Sequence, residues 1–209
     1  MALPIDIEAL RGATLHPEPF AWLIVPGFVK QEAIADIERD FPAVSHPGSF
    51  PLSTLYFGPA FQAFMDAIRG PEFEKAVAEK FGIDLAGRPT MVTVRGQSSA
   101  RDGQIHTDSV TKLITVLIYM NGQWESPTGR LRLLRSKDDL NDVIAEVPPD
   151  EGTLLIFKNQ PNAWHGFEAF EGPRKVIQLN WVTNERVVWW EQTRHKISAF
   201  FKKGRGPRM

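Results

Sequence analysis

The sequence predicts an α+β fold in which helices pack outside a β-sandwich or barrel, and two observations carry that reading. The apolar period is helical in the first part of the chain and becomes alternating from residue 90 onward. After that point the chain breaks into short apolar segments separated by turn residues, the spacing of a sandwich or barrel. Helices first and strands later suit two packed layers around one core. At 209 residues the chain is long enough for one full-sized domain. The expected division is a helical and mixed part over about 1–89, a β-rich part over about 90–184 and a closing helix over about 185–203, all within a single domain 1–209.

The elements can be justified in order. "PFAWLIVPGFV" (19–29) reads as a buried strand closed by a Pro-Gly turn. "KQEAIADIERDF" (30–41) reads as an amphipathic helix, with Ile34, Ile37 and Phe41 at helical spacing and Pro42 ending it. "SHPGSFPLS" (45–53) reads as an irregular loop. "PAFQAFMDAIRG" (59–70) and "PEFEKAVAEKFG" (71–82) are two further helices, each with Pro at its start and Gly at its end. The strand segments follow: "TMVTVRGQ", "LITVLIYMN", "GRLRLLRS", "VIAEVPP", "GTLLIFKN", "AWHGFEAF" and "RKVIQLNWVT". In "ERVVWWEQTRHKISAFFKK" (185–203), Trp190, Ile197, Phe200 and Phe201 can share one helix face, which suits docking on the sheet and also admits a homodimer.

Composition removes several function classes. There is no cysteine, so disulfides, thiolate zinc sites and cysteine nucleophiles are excluded. A formal net charge of −1 gives no reason to expect nucleic acid or an anionic membrane as partner. The basic cluster "KKGRGPRM" reads as a solvated terminus. The start lacks a signal-peptide pattern, and no apolar stretch approaches the ~20 residues of a membrane span. The expected compartment is the cytoplasm.

Any metal site must then use His, Asp or Glu. His106 and Asp108 lie two apart at the mouth of the apolar run "LITVLIYMN". On a strand, positions i and i+2 point to the same side, so these two can converge on one ion. A third ligand has four candidates. His16 and His46 lie in Pro-rich loops and His195 among charged residues of the last helix, and each reads as a surface or loop histidine. His165, in "NAWHGFEAF" after an apolar strand, is followed nine positions on by Arg174. Two histidines and one carboxylate on one face of an octahedron leave positions open, as in non-haem Fe(II) oxygenases, although zinc accepts the same ligands. After His165 the alternation places Arg174, Val176, Gln178 and Asn180 on one face and Lys175, Ile177, Leu179 and Trp181 on the other. A polar inner face suggests a cavity, and a bidentate guanidinium within it suits a dicarboxylate.

The pattern "HTD" (106–108), a distal His165 and Arg174 beyond it resembles the HxD…H…R/K pattern of the 2-oxoglutarate/Fe(II)-dependent dioxygenases. The text "YMNGQW…TGRLRLL…VPPDEGTLLIFKN…WHGFEAFEGPRKVIQLNW" is similar to the prolyl-4-hydroxylase-like branch, and "PFAWLIVPGFVKQEAIADIERDFP" resembles that branch's usual opening. The resemblance covers about residues 90–183. It implies a double-stranded β-helix, or jelly roll, with supporting helices. It implies iron held by His106, Asp108 and His165, and 2-oxoglutarate held through its distal carboxylate by Arg174, with Tyr119 as a second contact. The implied reaction consumes O2, turns 2-oxoglutarate into succinate and CO2, and hydroxylates an unactivated C–H bond; it admits ascorbate as reductant. The segment between metal and substrate loops is short, so substrate recognition does not carry over. The charge balance favours a small or conjugated substrate.

Around this core, Gln104 and Lys112 are candidates to touch substrate or orient Asp108, and Asn180 to hydrogen-bond behind a metal ligand. Gly103, Gly152 and Gly166 read as turn glycines. The loops 45–58 and 96–105 are candidate lids or substrate loops. Two other readings remain open: a zinc-dependent hydrolase or lyase on a cupin-like barrel, and a non-catalytic jelly-roll binding module.

Overall fold

Proline and glycine punctuate the helical half of the chain as expected. Helix α1 spans Ile7–Gly12, α2 Gln31–Arg39, α3 Pro59–Ile68 and α4 Pro71–Phe81. Pro59 and Pro71 occupy the first helical turn, where a missing N–H costs nothing, and Gly82 ends α4 in the left-handed conformation at φ 58°. Helix α1 is short enough to escape its periodicity, and it relies on Asp6, whose carboxylate accepts the Ala9 N–H at 2.8 Å. These elements belong to a computed structural model that describes residues 3–186. The expected closing helix over about 185–203, its possible dimer face, His195 and the basic tail lie outside the described residues, apart from the first two positions of that helix.

The strands are β1 Trp22–Val25, β2 Phe50–Pro51, β3 Thr90–Ser98, β4 Lys112–Tyr119, β5 Leu131–Leu134, β6 Val143–Val147, β7 Leu154–Lys158, β8 Trp164–Gly166 and β9 Gly172–Val182. They form two sheets, six strands in the order β1-β7-β4-β9-β3-β2 and three in the order β6-β5-β8. The paired strands run antiparallel throughout. From β6 to β9 successive strands alternate between the small and the large sheet, as the expected jelly roll requires. The loop expected at 45–53 contributes β2, and residues 96–98 of the expected loop 96–105 extend β3, because pairing with β9 runs to Ser98↔Gly172.

One face of the large sheet is covered by helices. Val92, Val94, Ile114, Val116, Ile118, Leu154, Ile156, Ile177, Leu179 and Trp181 pack there with Ile34 and Ile37 of α2, Phe61, Phe64 and Met65 of α3, and Phe73 and Val77 of α4. Trp181 stacks on Phe73 at 5.9 Å between ring centroids. Lys175, on the same face of β9, reaches out to Glu38 of α2 at 2.9 Å. The opposite face meets the small sheet through Leu117, Tyr119, Leu155, Phe157 and Val176 against Leu131, Leu133 and Val147. Between the sheets this second core does not fill, and a cavity remains.

Candidate metal and 2-oxoglutarate site

The cavity has a volume of about 480 Å³. All four residues predicted for the inner face of β9, Arg174, Val176, Gln178 and Asn180, line it. So do His106, Asp108 and His165, whose ligand-type atoms lie within 4.8 Å of one another. The distal histidine is brought in by backbone pairing. His106 N–H donates to the His165 carbonyl and His165 N–H to the His106 carbonyl, both at 3.0 Å. Asp108 does not share a strand with His106 as expected; residues 107–111 form a loop that turns its carboxylate inward.

Two glycines permit this pairing, in place of the turn role read from sequence. Gly103 sits at φ +94°, and a Cβ there would lie 2.1 Å from the Phe167 carbonyl oxygen. A Cβ on Gly166 would lie 2.8 Å from the Gly103 carbonyl oxygen. The segment 103–106 can therefore lie directly on 165–167, where the Phe167 N–H donates to the Gly103 carbonyl at 3.0 Å.

The imidazoles are oriented for coordination. His106 Nδ1 lies 2.8 Å from the Gln104 carbonyl and His165 Nδ1 3.0 Å from the Ala163 carbonyl. A carbonyl only accepts, so each Nδ1 carries a proton, which leaves Nε2 as the nitrogen that can present a lone pair to an ion. Burial, reinforced by the neighbouring His106, pushes His165 down to about 4, so it is neutral and available at ordinary pH. The Asp108 carboxyl is raised by burial, but the Lys112 ammonium, His165 and hydrogen bonds from Lys112 and Thr115 outweigh that and hold it below the usual carboxylate range.

Lys112 and Asn180 both act on Asp108, by different routes. The Lys112 ammonium lies 2.6 Å from Asp108 Oδ1 and is largely buried, not solvated. Asn180 Nδ2 donates to Thr115 Oγ1 at 2.8 Å, and Thr115 in turn donates to Asp108 Oδ2. Thr115 was not legible as a site residue because it reads as an ordinary strand former. Its register opposite Asn180 on β9 could have found it. Gln104 lines the cavity and supplies its carbonyl to His106, with no hydrogen bond to Asp108.

At the buried end of the cavity, Arg174 is 4% exposed. Its Nε donates to the Gly129 carbonyl at 2.9 Å, and its guanidinium lies over the Phe167 ring at 4.3 Å and the Tyr119 ring at 5.4 Å. It makes no ion pair with Glu168, which Arg132 takes at 2.8 Å. Arg174 Nη2 and the Tyr119 hydroxyl have no hydrogen-bond partner, although the two groups stand close enough to influence each other's ionisation. Burial lowers the Arg174 pKa and raises that of Tyr119, and the guanidinium remains cationic. Orphaned buried donors of this kind are costly unless something fills them.

The residues matched by a known family coincide with this constellation. Positions 96–183 match the family model described as the 2OG-Fe(II) oxygenase superfamily. That family uses iron(II) and 2-oxoglutarate, and the residues here fit both: a His/Asp/His cluster for the ion, and for a carboxylate a buried guanidinium with Nη2 unfilled, near the unfilled Tyr119 hydroxyl. Among solved structures, the chain resembles a Pseudomonas putida prolyl-4-hydroxylase (TM-score 0.58, 13% identity, 88% of this chain and 95% of that one). It also resembles a Trichoplax adhaerens prolyl hydroxylase in complex with a hypoxia inducible factor peptide (0.53, 15%, 81% and 86%). A third neighbour is a viral collagen prolyl hydroxylase from Paramecium Bursaria Chlorella virus-1 in complex with 2OG (0.50, 14%, 78% and 96%). These likenesses show a shared fold. No curated protein sequence matches the chain. Among the described residues no helix is long and apolar enough to cross a membrane.

Proposed function

We propose that the protein is an Fe(II)- and 2-oxoglutarate-dependent dioxygenase that hydroxylates an unactivated C–H bond of a small or conjugated substrate. The observation that carries this reading is the unfilled donor Arg174 Nη2, on a buried guanidinium that lines the same cavity as the His106, Asp108 and His165 cluster, with the unfilled Tyr119 hydroxyl in the adjoining core. A hydrolytic zinc site has no use for that donor.

In this reading His106 Nε2, His165 Nε2 and one Asp108 oxygen hold the ion, and the distal carboxylate of 2-oxoglutarate accepts from Arg174 and Tyr119. When bound, the iron and 2-oxoglutarate supply the oxidation: one atom of O2 enters the substrate as a hydroxyl, and the other enters succinate as CO2 leaves. The chain's own side chains position and shield. Thr115 and Lys112 fix the Asp108 carboxylate. Leu117, Leu131, Phe167 and Val176 give the cavity apolar walls that limit water. No side chain need act as a nucleophile. The fold neighbours named as prolyl hydroxylases make proline one candidate substrate, but at 13–15% identity the choice of substrate rests on this chain's own cavity.

The test is anaerobic addition of Fe(II) and 2-oxoglutarate to the purified protein. The visible charge-transfer band of the chelate is expected to appear, and admitting O2 with a substrate is expected to release succinate. A protein that takes up zinc and never forms the band would refute the assignment.

A further inference from the structure

The cavity lining is unequal in charge. Four cationic side chains line it, Arg95, Arg101, Lys112 and Arg174, against two anionic ones, Asp102 and Asp108. The two histidines, as metal ligands, are neutral. In the oxygenase reading the divalent ion and the doubly charged 2-oxoglutarate cancel each other, so the loaded cavity still carries two surplus positive charges.

Those charges can be located. Arg95 and Asp102 satisfy one another at 3.2 Å, and Arg174 is committed to 2-oxoglutarate. Lys112 shares its one acidic partner, Asp108, with the metal. Arg101 has neither a hydrogen bond nor an ion pair among the described residues and is exposed at the cavity rim. Its neighbour cannot neutralise it. The Asp102 carboxylate accepts from Ser99 N–H at 2.8 Å, Ser99 Oγ at 3.0 Å and Arg95 at 3.2 Å, so its acceptor positions are largely taken. The same bonds pin the loop, and Arg95 is tied in turn to Ser49 of the facing loop at 2.8 Å. Arg101 is thus a planar five-donor group held at the entrance by a fastened loop, with no internal acceptor.

We infer that the primary substrate carries an anionic group, a carboxylate or a phosphate, and that Arg101 at the rim binds it while Lys112 adds positive charge nearer the metal. The inference rests on the oxygenase reading. A cationic mouth with partly apolar walls concentrates anions before they bind, and a guanidinium matches the two oxygens of either group. The substrate's other end then lies toward the metal cluster, where hydroxylation takes place.

The experiment is anaerobic titration of the Fe(II)- and 2-oxoglutarate-loaded protein with phenyl phosphate, phenylacetate, benzyl alcohol and benzylamine, followed by calorimetry and by the change in the chelate band. At least one of the two anionic probes is expected to bind about tenfold or more tighter than benzyl alcohol, with benzylamine weakest. Added salt should erode that preference. Phosphate preference would identify a phosphorylated substrate, and phenylacetate preference a carboxylate. In Arg101→Ala the anion preference should disappear, and Arg101→Lys should restore part of it; the chelate band serves as the control for folding and loading in both. Equal binding of all four probes, including no binding by any, overturns the inference, as does an anion preference undiminished in Arg101→Ala. A chelate band together with a charge-blind cavity would sink this inference alone. Absence of the band would sink the oxygenase reading and this inference with it.

Discussion

The two faces of the six-stranded sheet use the same strands for opposite ends. On β9, Ile177, Leu179 and Trp181 are buried under the helices, while Arg174, Val176, Gln178 and Asn180 line the cavity. On β4, Ile114, Val116 and Ile118 face the helices while Thr115 and Leu117 face the cavity. Strand β3 repeats the division, with Val92 and Val94 on one side and Met91, Thr93 and Arg95 on the other. A two-residue period lets every strand supply both a hydrophobic foundation and a reactive wall. Stability and binding are therefore separable by parity along a single strand.

That separation can be broken most forcefully from the helix side. Leu179 is fully buried among apolar side chains. Leu179→Ala is expected to cost about 3 kcal/mol through lost burial and the cavity left behind. For a chain of this size that corresponds to a fall in Tm of roughly 6–12 °C in a thermal melt. The KM for 2-oxoglutarate should hardly move. A large rise in KM would mean that the two faces are coupled.

Arg174→Ala is the converse. Removing a buried cation whose Nη2 is unfilled should leave Tm nearly unchanged or raise it, because the desolvation penalty goes with it. The KM for 2-oxoglutarate should rise about 100-fold, the loss of a bidentate charged contact worth about 2.7 kcal/mol. Succinate-release kinetics and one melting curve check both halves. If Tm collapses while KM holds, Arg174 is structural and the cavity face has no special bond with the keto acid.

The parity of β9 was legible because an eleven-residue strand repeats its pattern often enough to be read. The helices bounded by Pro59, Pro71 and Gly82 were legible for a local reason, since φ restriction acts within a turn. His106, Asp108, His165 and Arg174 could be grouped by residue type and spacing. What could not be read depends on contacts between distant backbone segments. Gly103 looked like a turn glycine, whereas its need for a bare Cα comes from Phe167, far along the chain. Strand β2 hid in a Pro-rich loop because two residues carry no period. For Lys112 the sequence left open whether it touches substrate or orients Asp108, and only the folded loop that brings the carboxylate to 2.6 Å from its ammonium favours the second.

Thr115 offers the finest test of the same division, because it sits among the helix-facing apolar residues in sequence and among the metal-site residues in space. Its hydroxyl accepts from Asn180 and donates to Asp108, so it ties the cavity wall to a proposed ligand. Thr115→Val keeps the shape but leaves Asn180 Nδ2 and one Asp108 oxygen without that partner. Groups that orient a ligand from behind typically govern about tenfold in metal affinity, and a weakening of that order is expected in an Fe(II) or Mn(II) titration. Thr115→Ser retains the hydroxyl and should restore most of it. A merely structural threonine would behave differently, with both variants lowering Tm and neither changing metal affinity. Restoration by serine would show that a hydroxyl on the cavity side of β4, and not strand packing, sets how firmly Asp108 is held.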